Sequence, residues 1–177
     1  DIYFAYRPAG GSWQADAQIN DDGGTTWHRE PAIAVGPDGN AYAVWEDDRG
    51  SASDIYFAYR PAGGAWGSNV RVNDLLGGSV EQSEADVAVD ADGNAYAVWV
   101  DDRDGDDDVY FAYRPAGGSW GSDVRVNDDS GTSSQSSPAI AVDASGNAYA
   151  VWGDRRDGDR DIYFAYRPAG GDWGANT

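Results

Sequence analysis

The sequence has no cysteine, no lysine and a single histidine. Without cysteine, neither a disulfide framework nor a thiolate metal site can form. All twelve basic residues are arginine, set against 31 acidic residues, and the formal charge is −19. Phosphate backbones are bound by basic faces, so nucleic acid is excluded as a natural partner. No run of about 18 apolar residues is present, so no membrane span is expected. No 3.6-residue apolar period occurs either, which leaves strands and turns as the building material. The chain opens in mid-repeat without methionine, as a processed product or an excised segment would. The missing leader therefore says little about export.

What is present is a repeat. Asp54–Trp66 reads DIYFAYRPAGGAW, and close copies start at Asp1, Asp108 and Asp161, so the starting aspartates lie 53, 54 and 53 residues apart. A period of that length is an architecture. Alternation puts Ile55, Phe57 and Tyr59 on one face of a strand and Tyr56, Ala58 and Arg60 on the other. Both faces carry large groups, as a strand in a stack of sheets would. Arg60-Pro61-Ala62-Gly63-Gly64 ends it, because proline lacks the ladder N–H and paired glycines supply positive φ.

In chain order, short polar strands follow at Ala15–Asn20, Asn69–Asn73 and Asp123–Asn127, suited to sheet edges. Variable linkers come next, at Asp21–Glu30, Asp74–Glu84 and Asp128–Ser137. Then come alanine-rich hairpins, Pro31–Trp45, Ala85–Trp99 and Pro138–Trp152, turning at Asp38-Gly39, Asp92-Gly93 and Ser145-Gly146. Asp-Gly between two alternating apolar runs is a strong hairpin signal. Each unit thus holds four antiparallel strands, the signature of a β-propeller blade. The expected fold is all-β: one β-propeller domain over 1–177. It comprises a partial blade at 1–20, blades at 31–73 and 85–127, and a blade at 138–177 lacking its last strand.

Asn20-Asp21-Asp22-Gly23-Gly24-Thr25-Thr26-Trp27 resembles the Asp-box of sialidase-like propellers with bacterial neuraminidase repeats, which runs Ser-x-Asp-x-Gly-x-Thr-Trp. The Gly-Gly-x-Trp tails at Gly10–Trp13, Gly63–Trp66, Gly117–Trp120 and Gly170–Trp173 look like worn versions of it. In that family the box is a structural element in the turn between the third and fourth strands, whereas here it follows the fourth. The resemblance implies a propeller, and for the catalytic members an arginine triad, an acid/base aspartate and a tyrosine–glutamate nucleophile. The family's Arg-Ile-Pro motif is absent; Arg-Pro occurs, once in each of the four copies. The candidates here, Arg49, Arg103, Arg156 and Asp47, Asp101, Asp154, recur in every unit. One substrate needs unlike groups converging at one place, so this repetition argues against catalysis, and no catalytic residue is assigned.

The charge admits three readings: solvated turns, cation binding and adaptation to high salt. Only four of the acidic residues are glutamate. In the loop Asp101–Asp108, the alternate carboxylates Asp102, Asp104 and Asp106 around Gly105 have the spacing of calcium ligands, but no bidentate glutamate follows as in an EF-hand. Calcium is thus a possible ligand and no cofactor is required. The competing reading has Arg103, and its equivalents Arg49 and Arg156, pairing with Asp101 and Asp108, or with Asp47 and Asp54 and with Asp154 and Asp161, and with backbone carbonyls, which braces the turn. Asp90-Ala91-Asp92-Gly93-Asn94 reads as a turn. His28, unmatched in the other units, reads as a solvent-exposed loop residue. Trp45, Trp99 and Trp152 read as core, while Trp13, Trp66, Trp120 and Trp173 could pack or present platforms for sugars.

Three blades should not close a propeller alone. Residues 1–20 could complete the final blade or a neighbour's. The expectation is a homo-oligomer, either two chains in a six-bladed ring or a head-to-tail polymer, exported or at the cell surface, working as a non-catalytic binding or assembly module; the other possibility is a window on a longer array. The alternatives are a glycoside hydrolase or glycan-binding lectin, and a structural repeat of a filament or surface layer.

Overall fold

The computed structural model describes residues 1–74 and 79–177, and these contain strands and turns but no helix. Among the described residues thirteen strands form four antiparallel sheets, none closed into a barrel. The first sheet pairs β1 (Tyr3–Phe4) with β2 (Ala17–Gln18). The second runs β3 (His28–Val35), β4 (Ala41–Asp47), β5 (Asp54–Arg60), β6 (Val70–Arg71). The third repeats it as β7 (Gln82–Val89), β8 (Ala95–Asp101), β9 (Asp108–Arg114), β10 (Val124–Arg125). The fourth has three strands, β11 (Gln135–Val142), β12 (Ala148–Asp154) and β13 (Asp161–Arg167). Thr177 exchanges two backbone hydrogen bonds with Phe164, where β6 and β10 begin in the other units.

Register repeats with the sequence. Trp45 lies opposite Tyr56, Trp99 opposite Tyr110 and Trp152 opposite Tyr163. The hairpin glycines Gly39, Gly93 and Gly146 sit at φ 80, 81 and 79°, a left-handed conformation that explains the glycine at each turn. The Asp90 carboxylate accepts the N–H groups of Asp92 and Asn94, the Asn94 amide and the Tyr96 hydroxyl, so it closes its own turn.

The first strands of the three hairpins differ from the expectation. They start at His28, Gln82 and Gln135, ahead of Pro31, Ala85 and Pro138, and cross a bulge on the way. Glu30, Glu84 and Ser137 occupy those bulges at φ 49, 52 and 52°. Left-handed backbone at a residue with a Cβ is costly, and nothing in a Glu or Ser advertises it.

The sheets stack in chain order. β7 packs on β3 and β4, and β11 packs on β7 and β8. Tyr42, Val44, Ile55 and Phe57 of the second sheet bury against Val87, Ala97 and Trp99 of the third. Tyr96, Val98, Val109 and Phe111 of the third repeat the contact with Ile140, Ala150 and Trp152 of the fourth. Ile2 and Ile19 of the first sheet cover Ala43, Trp45 and Ala58. The alanines of β4, β8 and β12 keep adjacent sheets close, while the tryptophans, all but sealed from solvent, fill the space between them.

Candidate functional site

The most concentrated chemistry lies at the end of each of the three larger sheets, where the second strand turns into the third. There the strand carries a tryptophan, then an aspartate two residues on, then an arginine two residues beyond. Alternation points the Trp45 and Asp47 side chains to the same face, so Trp45 Nε1 donates to Asp47 Oδ2 at 2.9 Å. Arg49 folds back over the turn. Its Nε reaches Asp47 Oδ1 at 2.9 Å, its Nη2 reaches Asp47 Oδ2 at 2.7 Å, and its guanidinium lies 4.1 Å from the Tyr56 ring centroid. Arg103 and Arg156 repeat the stack on Tyr110 and Tyr163, each at 4.2 Å, and pair with Asp101 and Asp154.

Each arginine also ties the incoming linker to the fourth-strand segment of its unit, Arg103 reaching the linker through Asp74 at 3.5 Å. Arg49 donates to Asp21 and Asn69, Arg103 to Asp123, and Arg156 to Asp128 and Asn176. Asp47, Asp101 and Asp154 are fully buried, a position an aspartate holds only when its charge is matched. Burial works against the Arg103 charge, but its bonds to Asp101 and Asp123 outweigh that and raise its pKa. These groups are occupied holding one another. Asp54 and Asp108 accept the side-chain amides of Asn73 and Asn127, and Arg125 pairs with Asp108, whereas Asp161 is exposed.

The calcium candidates are separately engaged. Asp102 Oδ1 takes the Glu81 N–H at 2.7 Å, and Asp104 Oδ2 takes the Tyr110 hydroxyl at 2.8 Å. Burial, then the nearby charges of Asp108 and Asp129, raise the pKa of Asp106. Among the described residues one trio of ligand-type side chains converges, with atoms within 4.8 Å of one another, and it is Asp22, His28 and Asp47. Asp102, Asp104 and Asp106 do not come together in this way.

That trio corrects the reading of His28. Its imidazole is sealed from solvent, with Nε2 2.8 Å from Asp22 Oδ1 and 3.4 Å from Asp47 Oδ2. His28 lies opposite Asp47 as Gln82 lies opposite Asp101 and Gln135 opposite Asp154. It is the first unit's version of a buried glutamine, and aligning the linkers from Asn20, Asn73 and Asn127 would have revealed it. In the other units Asn73 and Asn127 donate directly to Gln82 and Gln135. In the first, Asn20 donates to Asp22, which stands between it and the imidazole. Burial opposes ionisation of Asp22, yet hydrogen bonds from Thr26 and Asn20 and the charges of His28 and Arg49 bring its pKa down to about 2. Asp47 is already saturated by Trp45 and Arg49, so the guanidinium supplies the cation this trio needs.

The segment resembling an Asp-box, Asn20–Trp27, lies between β2 and β3. Thr26 donates to Asp22 Oδ2 at 2.6 Å, and Trp27 turns outward, 72% exposed. Trp66, Trp120 and Trp173 stand edge-on to Phe4, Phe57 and Phe111 at 5.2, 5.3 and 5.2 Å, whereas Trp13 is 68% exposed. No family model and no curated protein matches the chain.

Proposed function

We propose that the chain is a non-catalytic module of β-propeller type, its sheets acting as successive blades, and that it works by binding and self-association outside the cell. One observation carries the reading. The third-strand residues Ile2, Ile55, Val109 and Ile162 hold the same place in four units, with exposures of 5, 0, 0 and 72%. The fourth sheet therefore presents to water a face that the other units bury, with Tyr149, Val151, Phe164 and Tyr166 beside Ile162. Contiguous exposed apolar side chains of this kind mark a contact surface. The natural cover is another sheet of the same sequence type, and two chains would make a six-bladed ring. A head-to-tail contact whose rotation does not close would give a filament or surface layer.

Catalysis is disfavoured because the recurring arginines and aspartates are consumed by their own braces. A second reading, glycan binding, draws on Trp13 and Trp27, whose exposed rings are the kind of platform on which sugars stack. The resemblance to sialidase-like repeats supports the propeller form and the extracellular setting. The test is sedimentation velocity over a hundredfold concentration range, run beside a chromogenic sialoside assay and a glycan array. Concentration-dependent association without turnover supports the module. Turnover of the sialoside would replace it with a hydrolase.

A further inference from the structure

The two end sheets are matching halves of one sheet. The first supplies a third and a fourth strand, β1 and β2, and the fourth supplies a first, second and third, β11 to β13. Asp1–Gly11 and Asp161–Gly171 are identical in sequence, DIYFAYRPAGG. β1 and β13 are therefore interchangeable occupants of the same slot. Beside β1 in the first sheet, where the other sheets have their second strand, lies an apolar cavity of about 220 Å³ lined by Ile2, Phe4, Ile19, Ala32, Ile33 and Ala43. Ile33 and, two residues on along the same strand, Val35 are exposed, although Val87 and Ile140, which match Ile33 in the later units, are buried. In those units Val87 and Ile140 pack on the Tyr-Ala-Val segment of the preceding second strand, Tyr42–Val44 or Tyr96–Val98. The uncovered Tyr-Ala-Val segment of this chain is Tyr149–Val151, in β12.

Resting on the self-association reading, we infer that β13 of a second copy replaces β1 beside β2, which makes a composite four-stranded sheet from two chains. Ile162 then enters the place of Ile2 and Phe164 the place of Phe4, beneath Arg60 and edge-on to Trp66, contacts now made by Phe4. Asn20 Oδ1, which accepts the Ile2 N–H at 2.9 Å, accepts the Ile162 N–H instead. The other four-stranded units show that bond between Ile55 and Asn73 and between Val109 and Asn127, each at 2.9 Å. Among the described residues no asparagine takes that place beside Ile162. β12 comes in with its own neighbour, fills the cavity and lays Tyr149 and Val151 on Ile33 and Val35.

The driving force follows from the identity of the two strands. Exchanging β1 for β13 swaps like side-chain contacts for like, and Ala17 takes the place of Thr177 opposite Phe164, so the outer half of the sheet gives up the two Phe164–Thr177 backbone hydrogen bonds. The apolar burial of the inner half, absent in the single chain, is the net gain. Two such composites in a pair of chains, with the two complete sheets of each, give six sheets in a ring. The partner is a second copy of this chain, and the recognition element is β2 with Asn20.

The chain has no cysteine, so introduced thiols report without background. Tyr3 and Gln18 are direct cross-strand partners, as are Tyr56 and Arg71, so a Tyr163–Gln18 pair in the composite sheet lies within disulfide reach. A Gln18→Cys chain mixed with a Tyr163→Cys chain and oxidised should give a disulfide-linked heterodimer, with neither chain alone doing so. In a second variant, Tyr3→Cys with Gln18→Cys, oxidation ties β1 to β2 and should return the protein to monomer mass, and reduction should restore the larger species. That recovery also shows that the variant folds. Association that survives the tie and gives no Gln18–Tyr163 link overturns strand exchange and leaves self-association standing. Absence of association in the unmodified chain overturns both.

Discussion

Asp123 occupies a position where the neighbouring units have Asn69 and Asn176. Its side chain is fully buried. Oδ2 accepts Arg103 Nη2 at 2.6 Å and the Asp74 N–H at 3.0 Å, while Oδ1 is buried without a partner. In the other units the matching amide nitrogen donates to a backbone carbonyl, Asn69 to Ile19 and Asn176 to Val126. A carboxylate has no proton to offer the corresponding carbonyl of Val72. Burial, reinforced by the Asp74 carboxylate and opposed by Arg103, pushes Asp123 up to about 6. Asp74 faces water on its other side and moves down, chiefly through its hydrogen bonding with Asp123, so the pair's proton belongs on Asp123. A rise of about two units above the ordinary value corresponds to roughly 3 kcal/mol. The folded state then keeps a proton that the unfolded chain releases between pH 4 and pH 6. The cost is absent below about pH 4, grows through that window and is complete above pH 6. Asp123→Asn restores the amide of the other units. Urea unfolding at fixed protein concentration should show the variant more stable by about 2–3 kcal/mol at pH 8, with the gain vanishing near pH 4. An equal difference at both pH values, or a variant less stable at pH 8, would refute the reasoning.

Arg103→Leu should destabilise the fold by roughly 3–5 kcal/mol at neutral pH, because it strands the buried Asp101, and a thermal melt reads this directly. His28→Ala should cost about 1–3 kcal/mol by removing the donor between Asp22 and Asp47, and His28→Gln, the residue of the other units, should recover more than half of it in urea. Glu30→Gly should raise the melting midpoint, by up to about 1 kcal/mol of stability, since an exposed residue leaves the left-handed region to glycine. Glu84→Gly should gain less, because the Glu84 carboxylate also accepts the Ser137 N–H across the sheet junction.

The strands and their pairing were legible because their signals are local. Asp38-Gly39-Asn40 between alternating apolar runs fixes a hairpin, and that hairpin fixes the register that sets Trp45 opposite Tyr56. The bulges were not legible, since Glu30, Glu84 and Ser137 are poor advertisements for a left-handed backbone. As the one histidine of the chain, His28 has no counterpart of its own type to show that its position is buried. Placed beside Gln82 and Gln135 it is a buried polar residue of an inner strand. The acidic loop 101–108 offered calcium-like spacing, but spacing does not show whether a carboxylate is free, and Asp102 and Asp104 are taken by Glu81 and Tyr110. The end faces are illegible in principle. Ile55 and Ile162 stand in identical sequence and differ only in what lies above them, which is set by the order of the sheets.

The most direct test of the account is the solution mass of the unmodified chain by light scattering on a sizing column, at low and at high salt. In the proposed association apolar burial is the driving force, so salt should not dissolve it. The expected result is a discrete species of twice the 18.8 kDa chain mass at both salts. A monomer that persists to high concentration would contradict it.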